Sequence, residues 1–305
     1  CSSMIPKFPR SRSLKVGDKK DVADYISSFL PYSDFDFTSM WSWNTDQKFK
    51  ISILNKNLVV QFSDYISGEP FFSFIGLSDV NDTMARIIAY AERKGIFAPV
   101  RLIPEEVAIK LDKSRFIVEE DRDNFDYVYS VQDLHGMKGS LFSDMRNQLS
   151  RTEKRHKGVK LSSLDLQNED HVKQIRELFR EWKNNKEEGL EAEKELLAIE
   201  RLLILSKGRQ ARFSTVGVFD KEQLIAFAIN ELLRNGYAIS HFVKANTSYA
   251  GIYAFVMHAM AKSLLSQDCQ YLNYEQDLGL ENLRYAKMCF RPVRFLKKYQ
   301  VSVKK

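Results

Sequence analysis

Three polar side chains near the C-terminal end of the chain have the spacing of a small reactive site. Asn273, Glu275 and Asp277 occupy every second position at the end of an apolar, strand-like segment. Alternate residues of a strand share one face, so we expect the three side chains to line one pocket. A carboxylate there can hold an amine or take its proton. The alternative is structural, with the two carboxylates capping the following helix or pairing with Arg284 and Lys287.

The other reactive side chains give weaker signals. His241 lies inside a strand predicted over residues 237–244, where a core histidine bonded to a backbone carbonyl is the commoner role. Cys269 and Cys289 have no catalytic histidine nearby in the sequence, and the spacing of His, Asp and Glu residues predicts no metal site. The chain has three cysteines in all. Three cysteines are too few for a disulfide framework, so their number is more typical of a protein from the reducing cytoplasm.

Positive charge is concentrated in two segments of the chain. The formal net charge is +6, yet residues 146–160 hold six basic side chains and one acidic one, and residues 282–305 hold eight basic side chains and no acidic one. The remainder is therefore net acidic. Such asymmetry indicates that the basic segments meet a polyanion or a phosphate, although two solvated faces give the same pattern.

We interpret the basic segments as contacts to RNA. In the second segment the cations alternate with aromatic side chains, which suits contact with phosphates and stacked bases. The alternative places the aromatic side chains in the core and the cations on a solvated edge strand. The predicted substrate or RNA contacts are Arg146, Arg151 and Arg155 in the first segment and Arg284, Lys287 and Arg291 in the second.

The hydrophobic pattern predicts an α+β protein of two domains. Alternating apolar residues predict a hairpin over 49–62, and apolar residues at helical spacing predict a helix over 84–91. We predict a basic helix over 143–157 and place the domain junction after it, giving domains of residues 4–157 and 158–305. The second half is predicted as helix, helix, three strands, helix, strand, helix and strand. That order is similar to the acetyltransferase-like (acyl-CoA N-acyltransferase) fold.

Several sequence blocks resemble one bacterial family more specifically. The longest covers residues 271–287 and continues over 291–299; others cover 32–43, 74–77, 126–129 with 134–139, Arg146-Asn147, and 244–246 with 251–253. Together they resemble the family defined by the phosphatidylglycerol lysyltransferase C-terminal domain, in particular its short members. Those members often have Glu where this sequence has Val243.

The resemblance implies two tandem acetyltransferase-like domains joined by a basic helix, each with a mixed central sheet flanked by helices. It also implies acyl or aminoacyl transfer to an amine or hydroxyl acceptor, with coenzyme A or aminoacyl-tRNA as the donor's carrier. The acceptor that it implies is a small molecule or a lipid headgroup. In the acetyltransferase fold the donor's phosphates lie at the start of the central helix, which implies donor contacts by Lys244, Asn246, Tyr249 and Gly251. The alternative for this segment is a helix cap by Thr247 or Ser248.

Two function classes remain from the sequence. The first is a cytoplasmic acyltransferase or aminoacyltransferase with Asn273, Glu275 and Asp277 as its catalytic residues. The second is a non-catalytic protein that binds a small acidic ligand or RNA on a degenerate acetyltransferase fold. The sequence has no apolar run long enough to span a membrane.

Overall fold

The computed structural model describes residues 4–184 and 189–305. From residue 4 to residue 120 the chain forms six strands and four α-helices. In chain order these are β1 (Arg12–Ser13), α1 (Lys19–Ile26), α2 (Phe37–Trp43), β2 (Lys50–Leu54), β3 (Asn57–Ser63), β4 (Pro70–Ile75), α3 (Val80–Arg93), β5 (Val100–Pro104), α4 (Glu105–Ala108) and β6 (Phe116–Glu120).

The rest of the chain alternates strands and helices. In chain order these are β7 (Asp126–Ser130), α5 (Val131–Gly136), α6 (Ser143–Arg155), β8 (Val159–Leu164), α7 (Glu169–Asn184), α8 (Gly189–Lys207), β9 (Phe213–Asp220), β10 (Gln223–Leu232), β11 (Tyr237–Ala245), α9 (Ile252–Leu265), β12 (Tyr271–Asn273), α10 (Glu281–Cys289), β13 (Arg294–Leu296) and β14 (Lys298–Val303). Across the described ranges, none of these helices is both long and apolar enough to cross a membrane.

The chain folds into two compact units whose boundaries differ from the predicted domains. The first unit contains the residues up to Asp126 together with Leu296–Lys305, and the second contains Tyr127–Phe295. Helix α6, predicted to end the first domain, belongs to the second unit because Met145 and Leu149 are buried in that unit's core. A helix that is polar overall can still be fixed by a narrow apolar stripe.

The first unit is built on two antiparallel sheets. Strands β1 to β4 form a four-stranded sheet in sequence order, and β5, β14 and β6 form a three-stranded one. The predicted hairpin is present as β2 and β3, joined by Asn55 and Lys56 with φ values of 50° and 64°. Positive φ at both central residues is the conformation that matches the twist of the flanking strands. The predicted apolar stripe on α3 is also present, since Met84 and Ile87 are fully buried in this unit's core.

The C-terminal strand of the first unit is fixed by a buried ionic cluster. The Lys298 side chain is fully buried, and its Nζ lies 2.7 Å from Asp126 Oδ1 and also contacts Asp34. Ser33 donates two further hydrogen bonds to Asp126, from its backbone N–H at 2.8 Å and its hydroxyl at 2.7 Å. Burial by itself lowers the pKa of Lys298, but the charges of Asp126 and Asp34 outweigh it, so the pKa is raised.

The second unit is a seven-stranded mixed sheet with helices packed against it. The strand order is β13, β7, β12, β11, β10, β9, β8, and β11 pairs in parallel with β12. Alternate residues of β10 point to opposite faces: Ala226 and Ala228 join the core formed with α9, while Phe227 and Ile229 are buried on the other face. Helix α9 is buried on most sides. This arrangement of helix and sheet confirms the predicted α+β class.

Candidate functional site

An opening in the sheet lies between β11 and β12. The two strands pair only at their beginnings, with Ile239 opposite Asn273 as the last pair. Strand β11 continues to Ala245, whereas β12 ends and the chain then follows β7, with Tyr274 N–H donating to Tyr127 O at 2.8 Å. Within the described residues, no strand pairs with this edge of β11 beyond Ile239. Along this stretch of β11, Ser240, His241 and Phe242 are buried, and Val243 and Lys244 are partly exposed.

Two carboxylates and a histidine gather at the opening, and we call Glu231, His241 and Glu275 the carboxylate–histidine cluster. His241 Nε2 lies 2.8 Å from Glu231 Oε2, and His241 Nδ1 lies 3.8 Å from Glu275 Oε1. The side chains of His241 and Glu231 are 1% and 3% exposed, but that of Glu275 is 18% exposed. Glu275 is thus the member of the cluster that a ligand can reach. Its Oε1 is buried and accepts no hydrogen bond from the described residues.

The backbone holds Glu275 in an unusual conformation. Glu275 has a φ of 59°, a left-handed backbone conformation that residues other than glycine rarely adopt. The buried Asn273 accepts a hydrogen bond from Glu275 N–H through Oδ1 at 2.9 Å, and Glu275 O accepts one from Tyr127 N–H at 3.0 Å. Strain held by surrounding hydrogen bonds is frequent at functional sites. Asn273, predicted as catalytic, is placed here as a residue that positions Glu275.

The structure gives Asp277 a different role from the predicted one. Its side chain is fully buried and accepts hydrogen bonds from Arg284 at 2.9 and 3.0 Å, from Tyr127 Oη at 2.5 Å and from Gly279 N–H at 2.9 Å. Because the chain turns at Glu275, the strand alternation ends and Asp277 does not share a face with it. Burial by itself raises the pKa of Asp277, but the bonds from Arg284 and Tyr127 lower it, to about 2.

This ion pair also changes the interpretation of two predicted RNA contacts. The Arg284 guanidinium is committed to Asp277, and the Lys287 side chain is buried, with Nζ donating to the carbonyls of Tyr274 and Gln276 at 2.6 Å each. Both cations of α10 therefore stabilise the loop that follows β12; Lys287 is buried, whereas the Arg284 side chain is 36% exposed. Arg291 is exposed, but its Nε donates to Leu141 O at 3.0 Å.

Replacing Asp277 by Asn should destabilise the protein by about 1 to 3 kcal/mol, since Arg284 and Tyr127 lose their charged acceptor. The lowered pKa of Asp277 means that its contribution is present above its unfolded value of about 3.9 and is lost as the pH falls toward about 2. Urea unfolding between pH 5 and pH 2 should therefore show a flatter pH dependence in Asp277→Asn than in the wild type. The control is Glu281→Gln, which changes an exposed carboxylate. The same dependence of unfolding free energy on pH in all three proteins would contradict a structural role of Asp277.

The predicted donor-binding residues are each bound to a different partner. Lys244 Nζ lies 2.6 Å from Glu195 Oε1 and 4.1 Å from the centre of the Trp182 ring. Asn246 Oδ1 accepts hydrogen bonds from the N–H and hydroxyl of Ser248, and neither Thr247 nor Ser248 caps α9, whose N-cap residue is Gly251. Tyr249 Oη donates to Asp220 at 2.8 Å.

Gly251 is required by the close approach of α6 to the start of α9. Its φ is 79°, and a Cβ there would lie 2.4 Å from Thr152 Oγ1. The Thr152 hydroxyl lies 2.8 Å from Ala250 O and 2.9 Å from Gln148 O. Other side chains of the protein thus hold the residues before α9. The structure does not show the open phosphate site predicted for Lys244, Asn246, Tyr249 and Gly251.

The predicted basic helix is present as α6, which lies on the surface beside a concave groove. Arg151, Lys154 and Arg155 are exposed, whereas the guanidinium of Arg146 donates to the carbonyls of Met137 and Gly139. The groove has a volume of about 500 Å³ and is lined by Glu153, His156, Lys157, Val159, Lys160, Leu161 and Phe255. The lining combines two lysines with apolar side chains and one carboxylate, Glu153.

Sequence reasoning did not single out Glu231 or assign chemistry to His241. Both are charged or polar residues inside strands whose neighbours are almost all apolar, and both are buried. Buried ionisable residues in apolar strands are rare unless they pair, so this contrast is the signal that could have found them. A bulge between Ile229 and Asn230 sets the register in which Glu231 meets His241, and no pattern in the sequence marks it.

Comparison with known proteins gives one family match and several similar structures. The family described as phosphatidylglycerol lysyltransferase, C-terminal, matches residues 28–302. A curated relative, an uncharacterized protein of Mycoplasmoides gallisepticum, is 22% identical over 188 residues, and the match spans 61% of this chain and 58% of that protein.

Three solved structures cover nearly the whole chain. A conserved protein of unknown function from Bacteroides thetaiotaomicron is 23% identical with a TM-score of 0.81, over 99% of this chain and 100% of that one. The C-terminal domain of a putative lysylphosphatidylglycerol synthetase from Agrobacterium fabrum is 12% identical with a TM-score of 0.64, over 95% and 93%. A tandem GNAT protein from the clavulanic acid biosynthesis pathway is 9% identical with a TM-score of 0.50, over 96% and 98%. At these identities the likeness shows the fold, which is the predicted tandem acetyltransferase-like one.

Proposed function

The chain belongs to the phosphatidylglycerol lysyltransferase C-terminal family, which its sequence matches over residues 28–302, and on that premise we propose that it is an aminoacyltransferase. It moves an aminoacyl group from aminoacyl-tRNA to an amine or hydroxyl acceptor, in the cytoplasm. The observation that carries this proposal is the carboxylate–histidine cluster at the opening between β11 and β12. In it a reachable carboxylate lies beside a buried histidine that is itself bound to a second carboxylate.

Glu275 acts as the base in the proposed reaction. The acceptor nitrogen or oxygen attacks the ester carbonyl carbon of the donor, its proton passes to Glu275, and a new C–N or C–O bond forms. The ester C–O bond to the ribose then breaks, and the departing ribose oxygen takes a proton. General base catalysis by a positioned side chain typically contributes about 10² to 10⁴ in rate.

His241 receives the proton from Glu275 in this reaction, and Glu231 orients His241. Glu231 accepts a hydrogen bond only if His241 Nε2 carries the hydrogen, and this leaves Nδ1 as an acceptor that faces Glu275. A proton taken by Glu275 can then move to His241, where the Glu231 carboxylate stabilises the imidazolium. A buried carboxylate orients the catalytic histidine of serine hydrolases in the same way.

Two observations favour aminoacyl-tRNA over acyl-CoA as the donor. In the segment before α9, Ser248 N–H already donates to Asn246 and Thr152 of α6 packs against Gly251, which leaves fewer free donors for a pyrophosphate. The exposed cations of α6 and the two lysines of the groove form an extended positive surface, which suits a phosphate backbone better than a single pyrophosphate.

Reversing three charges on α6 tests whether aminoacyl-tRNA is the donor. The triple variant Arg151→Glu, Lys154→Glu, Arg155→Glu should bind aminoacyl-tRNA on the order of 100-fold more weakly at about 100 mM salt, because phosphate contacts dominate such binding. Its melting temperature should change little, since all three side chains are exposed.

The matched control reverses three exposed lysines of the first unit, Lys20, Lys48 and Lys110, and should bind as the wild type does. A thermal-shift comparison of aminoacyl-tRNA with acyl-CoA completes the test, since a ligand of the native state raises its apparent stability. Stabilisation by acyl-CoA alone, or unchanged tRNA binding in the triple variant, would contradict the proposed donor.

A further inference from the structure

The seven-stranded sheet of the second unit ends at β8 with an open edge. Strand β8 is last in the strand order and pairs with β9, from Val159 opposite Asp220 to Leu164 opposite Thr215. Residues 160–163 are all exposed. Along the outer edge of such a strand, the N–H and C=O groups of every second residue point away from the sheet. Among the described residues, no other strand pairs with these groups.

The groove beside α6 adjoins this open edge. Val159, Lys160 and Leu161 line it from β8, and Phe255 lines it from α9. Leu161 lies opposite Val218, a residue of the core that packs against α9, so the Leu161 side chain is on the α9 side of the sheet. It is also 39% exposed. A strand added beside β8 would therefore direct every second side chain toward the groove.

The residues around this edge carry a net positive charge. Lys157 and Lys160 are exposed and line the groove, and residues 146–160 hold six basic side chains and one acidic one, Glu153. Lys160 lies between Val159 and Leu161, so by strand alternation its side chain starts from the other face of β8. A strand that matches β8 therefore has apolar side chains on the α9 side and acidic side chains on the opposite side.

Two other occupants fit this edge less well. Pairing of β8 with β8 of a second copy would bring two of these basic segments together, and like charges that face each other are destabilising. RNA phosphates would use the cations, but a phosphate group has no donor for the outward C=O groups of a strand. An extended peptide with carboxylate side chains satisfies the charges and both kinds of backbone group.

We propose that the edge of β8 binds an extended acidic peptide by strand addition. The peptide backbone pairs with β8, its apolar side chains enter the groove beside Leu161 and Phe255, and its carboxylates lie beside Lys157 and Lys160. Strand β8 has 6 residues, which at about 3.3 Å per residue gives a pairing length of about 20 Å. This surface contains none of the residues of the carboxylate–histidine cluster, so the proposal is independent of the proposed reaction.

Fluorescence anisotropy with a labelled synthetic peptide tests this surface. The probe is a peptide of alternating glutamate and valine, blocked at both ends and about six residues long to match β8. We expect saturable binding to the wild-type chain that weakens as salt is raised. We also expect slower hydrogen exchange of the backbone amides of residues 159–164 in the complex, because strand pairing protects them.

A second peptide separates strand addition from simple attraction of anions. The fully N-methylated form of the same peptide keeps the side chains and charges but has no backbone donors, so it should bind at least about tenfold more weakly. Lys157 and Lys160 also belong to the positive surface proposed for tRNA, and binding of RNA needs no such donors. Equal binding of the two peptides would therefore identify an RNA-type contact and overturn the proposal.

A charge exchange tests the two lysines in a way that misfolding cannot imitate. The variant Lys157→Glu, Lys160→Glu should bind the acidic peptide at least about tenfold more weakly, and should bind a peptide of alternating lysine and valine more tightly than the wild type does. The control Lys20→Glu, Lys48→Glu reverses two exposed lysines of the first unit and should bind both peptides as the wild type does. Absence of wild-type binding, an unchanged preference in the exchanged variant, or self-association through β8 in place of peptide binding would contradict the proposal.

Discussion

Glu275→Gln should lower the rate of aminoacyl transfer by about 10² to 10⁴ while the protein remains folded. The amide keeps the size of the side chain but cannot take a proton from the acceptor. Glu275 is the member of the carboxylate–histidine cluster that a ligand can reach, and its Oε1 accepts no hydrogen bond from the described residues. Steady-state kinetics with the wild type and the variant, together with urea unfolding of both, measure the two effects separately.

The matched control is Glu222→Gln, which changes an exposed carboxylate in the turn between β9 and β10 and should leave both rate and stability unchanged. His241→Gln should lower the rate and also alter its pH profile, since His241 receives the proton. Loss of activity in Glu275→Gln in proportion to a loss of stability would identify a structural carboxylate and favour the non-catalytic binding protein.

Lys298→Met should destabilise the protein by about 3 to 5 kcal/mol. The substitution leaves the fully buried Asp126 and the 12% exposed Asp34 without the ammonium that neutralises them, and burying an uncompensated carboxylate is costly. Because the pKa of Lys298 is raised on folding, its contribution is complete below the unfolded value of about 10.4 and is lost only as the pH rises through the folded value. Urea unfolding at pH 7 measures the difference.

The neighbouring Lys297 provides the control. Its Nζ lies 2.8 Å from Glu120 Oε1, but its side chain is 40% exposed, so Lys297→Met removes an ion pair of little worth. Stability losses of similar size in the two variants would show that the buried cluster does not anchor the C-terminal strand.

Much of the fold follows from local patterns in the sequence. The hairpin of β2 and β3 and the stripe on α3 have the expected periodicity, and the structure confirms both. Strand β8 was missed because Val-Lys-Leu-Ser-Ser-Leu is largely exposed and does not alternate apolar with polar residues. The unit boundary was misplaced because β7 pairs with β12, a contact between segments about 140 residues apart that no local pattern encodes.

The site was only partly predictable for a similar reason. Spacing alone pointed to Asn273 and Glu275, and the structure places both at the opening of the sheet. The prediction for Asp277 assumed that strand alternation continues, and it stops at Glu275, whose φ is positive. His241 and Glu231 meet through a strand register set by a bulge, so their partnership depends on the folded sheet and not on spacing.

Transfer of a labelled aminoacyl group from charged tRNA is the measurement that tests the proposed function most directly. The purified chain is incubated with tRNA carrying a radiolabelled amino acid and with a mixture of amine and hydroxyl acceptors, lipid headgroups included, and the products are separated from hydrolysed amino acid. We expect label in an acceptor with the wild type and a 10² to 10⁴-fold slower appearance with Glu275→Gln. Transfer from acyl-CoA but not from tRNA would contradict the proposal that aminoacyl-tRNA is the donor. No transfer from either donor, with tRNA still bound, would contradict the proposal that the chain is an enzyme.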